Sequence, residues 1–250
     1  MYEFNVKNTT DLCINWIRKF FDMNGPGCNV IIGISGGKDS LIVASLCIKA
    51  LGKDRVIGVQ LPNGIQKDID CSNDIFRFLD IKKIYFNIGS SCADMLKELS
   101  FEIINISEQT KMNLPARMRM SALYAISQSL NGRVANTCNL SEDWVGYSTR
   151  YGDSAGDFSP LCNLTVTEIL QIGEYLDLPQ YLINKIPEDG LCGKTDEENL
   201  GFTYVVLDKY IREGICECES TKLKIDEMHK KNKFKLELMP GFDSHLPIKI

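Results

Sequence analysis

VIIGISGGKDSLIVAS, residues 30–45, decides the reading of this 250-residue chain, because it joins a strand to a helix through a glycine turn. Val30-Ile31-Ile32-Gly33-Ile34 is short and β-branched, the pattern of a strand buried on both faces. After the turn, Leu41, Ala44, Ser45 and Ile48 share one helical face, and Gly52 closes the helix. A helix N-terminus behind such a turn presents backbone N–H groups to an anion. The run from Gly33 and Ile34 through Ser35, Gly36, Gly37, Lys38, Asp39 and Ser40 therefore suits a phosphate or pyrophosphate. Two common fingerprints are excluded. Lys38-Asp39-Ser40 after the glycines breaks the P-loop order, and Ser35 stands where a Rossmann turn needs its second glycine. Asp39 is the odd member, since a carboxylate beside phosphates repels them unless a cation lies between. It points to Mg²⁺ held with waters and phosphate oxygens; the alternative is an acid that merely favours the first turn of a helix.

Outward from this turn, strands and helices alternate. A helix carrying Leu12, Trp16, Phe20 and Phe21 on its apolar face ends at Gly25-Pro26-Gly27. Further strands are expected at 55–59, 83–86 and 133–136, with helices over 68–79, 90–104 and 109–130. This order predicts an α/β fold with a doubly wound parallel sheet flanked by helices, and ligands beyond the carboxyl ends of the strands. The stretch 146–163 has no apolar period and is rich in Gly, Ser and Asp, so it reads as a long loop, of the kind that is functional or disordered. Helices are expected over 165–177, 196–212 and 219–232, with turns at Pro179, Pro187 and Gly190. No repeat or linker divides the chain, so 1–250 reads as a single domain.

Composition narrows the classes of function. The net charge of −5 and pI near 5.2 argue against a nucleic-acid partner, which leaves a basic face. No run approaches the roughly 18 apolar residues of a membrane span, and MYEFNVKNTT lacks a signal peptide's basic and apolar regions, so a cytoplasmic protein is expected. Ten cysteines stand apart, without C-x-x-C, and read as reduced thiols; Cys216-Glu217-Cys218 has no neighbouring histidine and makes a poor metal site.

Ser35-Gly36-Gly37-Lys38-Asp39-Ser40 resembles the PP-loop of the N-type ATP pyrophosphatases, which cleave ATP between the α- and β-phosphates and transfer AMP to an acceptor oxygen. Four further segments resemble the ammonia-dependent NAD synthetases within that superfamily. They are Leu61-Pro62-Asn63-Gly64-Ile65-Gln66-Lys67-Asp68; Asn113-Leu114-Pro115-Ala116-Arg117-Met118-Arg119-Met120; Asn136 to Glu142 with the loop Gly146 to Pro160; and Gly190 to Glu198. His229-Lys230 resembles the family's H-K pair.

The resemblance implies an adenine-nucleotide alpha-hydrolase-like fold and a reaction in which deamido-NAD, ATP and ammonia give NAD, AMP and pyrophosphate. It assigns ATP contacts to residues 33–40, Thr137 and Thr195, and Mg²⁺ to Asp39 and Glu142. Deamido-NAD contacts fall on Arg117, Arg150, Asp157, His229 and Lys230, with Asp153 beside the reacting centre. It also implies a homodimer, for which the helix around Met118, Met120, Leu123 and Ile126 is a candidate contact. One synthetase domain fills the chain and leaves no room for the amidase domain of glutamine-dependent enzymes, so the expected donor is ammonia, free or delivered by a separate subunit. Two departures stand out. The family lysine nine residues after the deamido-NAD aspartate is Val166 here, leaving Lys194 or Lys38 to supply that cation, and Lys231-Asn232-Lys233-Phe234 replaces the usual proline pair. Two other readings remain: an RNA thiolation or lysidine enzyme of the superfamily, and a nucleotide-binding regulator without turnover.

Overall fold

The computed structural model describes residues 2–66, 69–184 and 195–243. Its centre is a four-stranded parallel sheet of β1 (Asn29–Gly33), β2 (Val56–Gln60), β3 (Lys82–Tyr85) and β4 (Gly132–Ala135), in the order β3-β2-β1-β4. Side chains of successive strand residues point to opposite faces, and β1 uses both. Val30 and Ile32 enter one core with Ile17, Phe21, Leu41, Ile42, Ile169 and Ile172, whereas Ile31 enters another with Ile57, Val59, Ile88 and Ala122. The expected buried strand and layered α/β architecture follow directly from that double use.

The first face is covered by α1 (Val6–Asn24), α2 (Lys38–Leu51) and α7 (Val166–Tyr175); the second by α4 (Gly89–Glu102) and α5 (Glu108–Ser129). Helix α2 is apolar nearly all round, with Leu41 through Cys47 all buried, because α1, α7 and the sheet enclose it. In α1 the structure corrects the expected face. Thr10, Ile14, Ile17 and Phe21 are buried, while Leu12 and Trp16 are 60% and 44% exposed. The row Leu12, Trp16, Phe20 lies beside the true stripe, and Thr10 tolerates burial because its hydroxyl donates to the Val6 carbonyl at 2.7 Å.

Chain order creates the site. From β1 the chain moves outward through β2 and β3, then crosses back to place β4 on the other side of β1. The direction of winding reverses between β1 and β4, and the loops leaving their carboxyl ends diverge into a crevice. Segment 157–158 lines the outer edge of β4, with the Asp157 amide donating to the Val134 carbonyl at 2.8 Å and the Asn136 amide to the Phe158 carbonyl at 2.9 Å.

The C-terminal part departs most from expectation. A helix not anticipated from sequence, α6 (Leu140–Val145), follows Asn139, whose side chain caps it. The single helix expected over 196–212 is two, α9 (Asp196–Leu200) and α10 (Tyr204–Glu213), because Gly201 turns left-handed at φ 77° and Thr203 caps a new start. A short α8 (Gln180–Ile183) follows Pro179, and α3 (Ile69–Leu79) and α11 (Glu219–Asn232) occupy expected positions. The anticipated turns at Pro187 and Gly190, and Lys194, lie outside the described residues.

Candidate active site

The turn after β1 is held from several directions. Ser72 in α3 donates to the Ile34 carbonyl at 2.8 Å, the Gly37 amide donates to Ser35 Oγ at 3.2 Å, and Ser40 Oγ donates to the Gly37 carbonyl at 2.9 Å. Gly36 sits at φ 94°, and a Cβ there would lie 3.0 Å from the Ser72 amide nitrogen, so both conformation and space require glycine. No side chain caps the N-terminus of α2 at Gly37, which leaves its first turn facing the crevice with its partial positive charge.

Asp39 projects from that first turn with its side chain 19% exposed. Asn139, fully buried after β4, links the two strand ends: its Oδ1 accepts from the Glu142 amide at 3.0 Å while its Nδ2 lies 3.5 Å from Asp39 Oδ1. One residue thus caps α6, at the backbone of Glu142, and reaches the Asp39 carboxylate. Thr137 lies on the same loop, between β4 and α6. Burial first, and the neighbouring Asp39 second, push the Glu142 carboxyl up to about 8. Lys38 is buried, with its side chain 6% exposed, and its Nζ lies 3.1 Å from Asp39 Oδ2. Burial works against its charge, but Asp39, Glu142 and Asp196 outweigh that and hold it above the usual lysine value.

Two participants were not legible beforehand. Asp196 opens α9 directly after Thr195, and Tyr204 opens α10 with its hydroxyl 3.5 Å from Asp196 Oδ2. Thr195 itself forms a capping box with Glu198, its Oγ accepting from the Glu198 amide at 3.2 Å. An acid directly after a threonine cap is ordinary helix-start chemistry, so Asp196 drew no role of its own within the segment Gly190 to Glu198.

A second group gathers around the loop after α6. Arg117 in α5 donates from Nε to the Arg150 carbonyl at 3.3 Å, bringing both expected arginines together. The Arg150 guanidinium lies 5.1 Å from the Tyr151 ring and 5.3 Å from that of Phe234, and donates to the Glu237 carbonyl at 3.2 Å. Asp157 accepts from the Val134 amide at 2.7 Å and the Tyr124 hydroxyl at 3.3 Å, so one oxygen is engaged in holding the edge of β4. Asp153 accepts from the Thr149 amide at 2.8 Å. The His229 ring stacks on Trp144 at 4.0 Å, and its Nδ1 donates to the Trp144 carbonyl at 2.9 Å. Lys230 is exposed on the same helix.

Lys235 was missed because it lies beyond the H-K pair in an irregular tail. Its ammonium donates to the Gly146 and Ser148 carbonyls at 2.7 and 3.1 Å, fastening the tail across the loop. Beneath is a cavity of about 340 Å³ lined by Asp143, Ser154, Asp157, Cys162, Lys235 and Leu236. Burial pushes the Asp143 carboxyl there up to about 6.

These loops set an anion-receptive helix terminus and a carboxylate pair on the same side of the sheet as a cleft lined by Asp143, Asp157 and Lys235. The chain's relatives carry that arrangement into a known class. The family model for NAD synthase matches residues 10–239. An NH(3)-dependent NAD(+) synthetase of Thermococcus sibiricus is 43% identical over 73% of this chain and 71% of its own, and that of Methanocaldococcus jannaschii is 38% identical over 90% and 87%. Among solved structures, an NMN synthetase from Francisella tularensis superposes with a TM-score of 0.85 at 32% identity, covering 96% of this chain and 100% of its own. An NH3-dependent NAD synthetase from Campylobacter jejuni gives a TM-score of 0.78 at 26% identity, covering the same shares of the two chains. With its matched residues running through every element of the sheet and both groups of site residues, this chain belongs to the NAD synthase family.

Proposed function

We propose that this protein amidates the nicotinate carboxylate of deamido-NAD with ammonia, consuming ATP and releasing NAD, AMP and pyrophosphate. The observation that carries it is the meeting of Asp39 and Glu142, from the ends of β1 and β4, beside the uncapped N-terminus of α2. A carboxylate is a poor electrophile, so activation must precede attack by ammonia. Its oxygen bonds to the α-phosphorus of ATP as the bond to pyrophosphate breaks, and the turn at 35–40 receives the leaving group. Ammonia then attacks the acyl carbon, AMP departs with the bonding pair, and the surplus ammonium proton passes to an acid such as Asp153.

In this reading ATP contacts residues 33–40, Thr137 and Thr195. Arg117, Arg150, Asp157, His229 and Lys230 receive deamido-NAD, an arginine fork suiting its carboxylate or phosphates. Mg²⁺ would sit at Asp39 and Glu142, neutralising phosphate charge when bound. The donor set fits: Mg²⁺ uses one or two carboxylates with phosphate oxygens and water, and the Glu142 carboxyl, raised first by burial and second by Asp39, is one whose charged form a cation would favour. Among the described residues no cluster of three metal-binding side chains forms a site by itself, so the nucleotide would complete it. One synthetase domain over 1–250, a homodimer and a cytoplasmic setting belong to the same proposal. The family match supports the domain, an apolar groove of Ile84, Phe86, Ala122, Ala125, Ile126 and Leu130 supports a subunit contact, and the nine cysteines among the described residues, all free, accord with a reducing compartment. Among the described residues no helix is long and apolar enough to cross a membrane. Met118, Leu123 and Ile126, expected at the subunit contact, are partly buried against the second core, and Ile126 also lines that groove.

The test is incubation with ATP, Mg²⁺ and ammonium, measuring AMP and NAD with and without deamido-NAD. Deamido-NAD-dependent release of both is expected, and its absence at saturating substrate would sink the reading. The likeness to the Francisella NMN synthetase favours one second reading, in which nicotinate mononucleotide is the acceptor. Supplying it in parallel decides between them by kcat/KM. The RNA-modifying and regulatory readings are left without comparable support. Sedimentation equilibrium checks the dimer: a monomer at micromolar concentration overturns it.

A further inference from the structure

The carboxylates proposed to hold Mg²⁺ already have a cation among them. Lys38 is buried, its ammonium 3.1 Å from Asp39 Oδ2, and it is drawn also by Glu142 from α6 and Asp196 from α9. Tyr204 of α10 closes the cluster, its hydroxyl 3.5 Å from Asp196. A buried lysine is retained only when paired, and here Asp39 makes the contact while Glu142 and Asp196, from two further helices, act on the ammonium through their charge. Simple pairing with Asp39 would serve as well at the surface; the enclosure puts this charge where an incoming divalent cation must compete for the same oxygens.

Resting on the magnesium reading above, we propose that Lys38 is the resident counter-ion of this site, holding the carboxylates together before nucleotide binds and yielding Asp39 to the metal when the nucleotide arrives. Released from Asp39, its ammonium at the first residue of α2 is within the turn that receives the phosphates, so the same charge then acts on the nucleotide. Position 166, where the family resemblance places a cation, holds a buried valine in an apolar cluster with Tyr204, and Lys38 supplies the positive charge from the start of α2.

The experiment separates this from a merely structural lysine, because the proposal moves two affinities in opposite directions. In Lys38→Met, Mn²⁺ alone, followed by the loss of its free-ion electron paramagnetic resonance signal, is expected to bind about 10-fold more tightly, since a competing charge a few ångströms away is gone. ATP in excess chelator, followed by calorimetry, is expected to bind several-fold more weakly. A lysine that only props up the turn would, on removal, weaken both. Lys38→Gln is the second variant should Lys38→Met fold poorly, with the same pair of shifts expected. Unchanged or weaker Mn²⁺ binding in the folded variants overturns the proposal while leaving the metal site standing. Mn²⁺ binding by the wild type that survives Asp39→Asn overturns the magnesium assignment, and this proposal with it.

Discussion

Asp39→Asn is expected to lower the rate of AMP release by about 10²- to 10³-fold while leaving the fold intact, the size seen when one charge-stabilising group is removed from an active site. The substitution keeps the shape of the side chain and removes its charge. The turn around it is fastened by Ser72, Ser35 and Ser40, none of which depends on Asp39, so secondary structure should stay near wild type, while the thermal midpoint falls because buried Lys38 loses a partner. What changes is electrostatic: Lys38 loses its closest partner, and Glu142 is left to hold a metal alone. Initial rates at saturating Mg²⁺ check this. Activity within a few-fold of wild type would remove Asp39 from the metal-binding role.

Glu168→Ala should have the largest effect on stability, about 3 kcal/mol, because breaking a buried ion pair leaves its partner uncompensated. That corresponds to a fall of about 6–12 °C in the thermal midpoint of a chain this size. The Glu168 side chain is 2% exposed and fully used: it accepts from Arg212 Nε and a terminal guanidinium nitrogen at 2.6 and 2.7 Å, from the Tyr2 hydroxyl at 2.5 Å and from the Thr165 amide at 2.8 Å. Burial by itself would raise its carboxyl, but Arg212, Tyr2 and Thr165 outweigh burial and leave it below the ordinary glutamate value. A carboxyl depressed in the folded state contributes stability that is complete above its unfolded value, about 4.3, and is lost as pH falls through the lower folded value. The midpoint gap between wild type and Glu168→Gln should therefore be wide at neutral pH and narrow below pH 4. A gap independent of pH would show that Glu168 acts through packing alone. The effect should reach the site, since α7 also anchors α6: the Val166 amide donates to Ser141 Oγ at 3.0 Å, one residue from Glu142.

Legibility from sequence tracks the range of the interaction. The four strands and most helices announced themselves through short apolar runs, glycine breaks and caps, all local signals. Helix α6 did not, because six residues are too few for a period and its stability comes from Asn139 and from packing under α10 and α11. The break between α9 and α10 was hidden by the reverse effect, a continuous polar and apolar rhythm across Gly201 whose left-handed turn is affordable only once Phe202 and Tyr204 are buried. The apolar face of α1 was misplaced by one row, since periodicity ranks side chains by hydropathy and could not foresee that Thr10 would satisfy its own hydroxyl.

By itself the sequence determined the alternating parallel fold, the anion-receptive turn with its acid at Asp39, and the family whose segments recur along the chain. Those properties are set by neighbours within a few residues or by motifs of fixed spacing. Only the tertiary structure decided what surrounds Asp39. The winding reversal between β1 and β4 brings Asn139 and Glu142 to it, the separate packing of α9 adds Asp196, and Lys38 turns inward among them. Charge interactions act through space across some 160 residues of chain, from Lys38 to Asp196, and no local pattern encodes which carboxylates will share one buried ammonium.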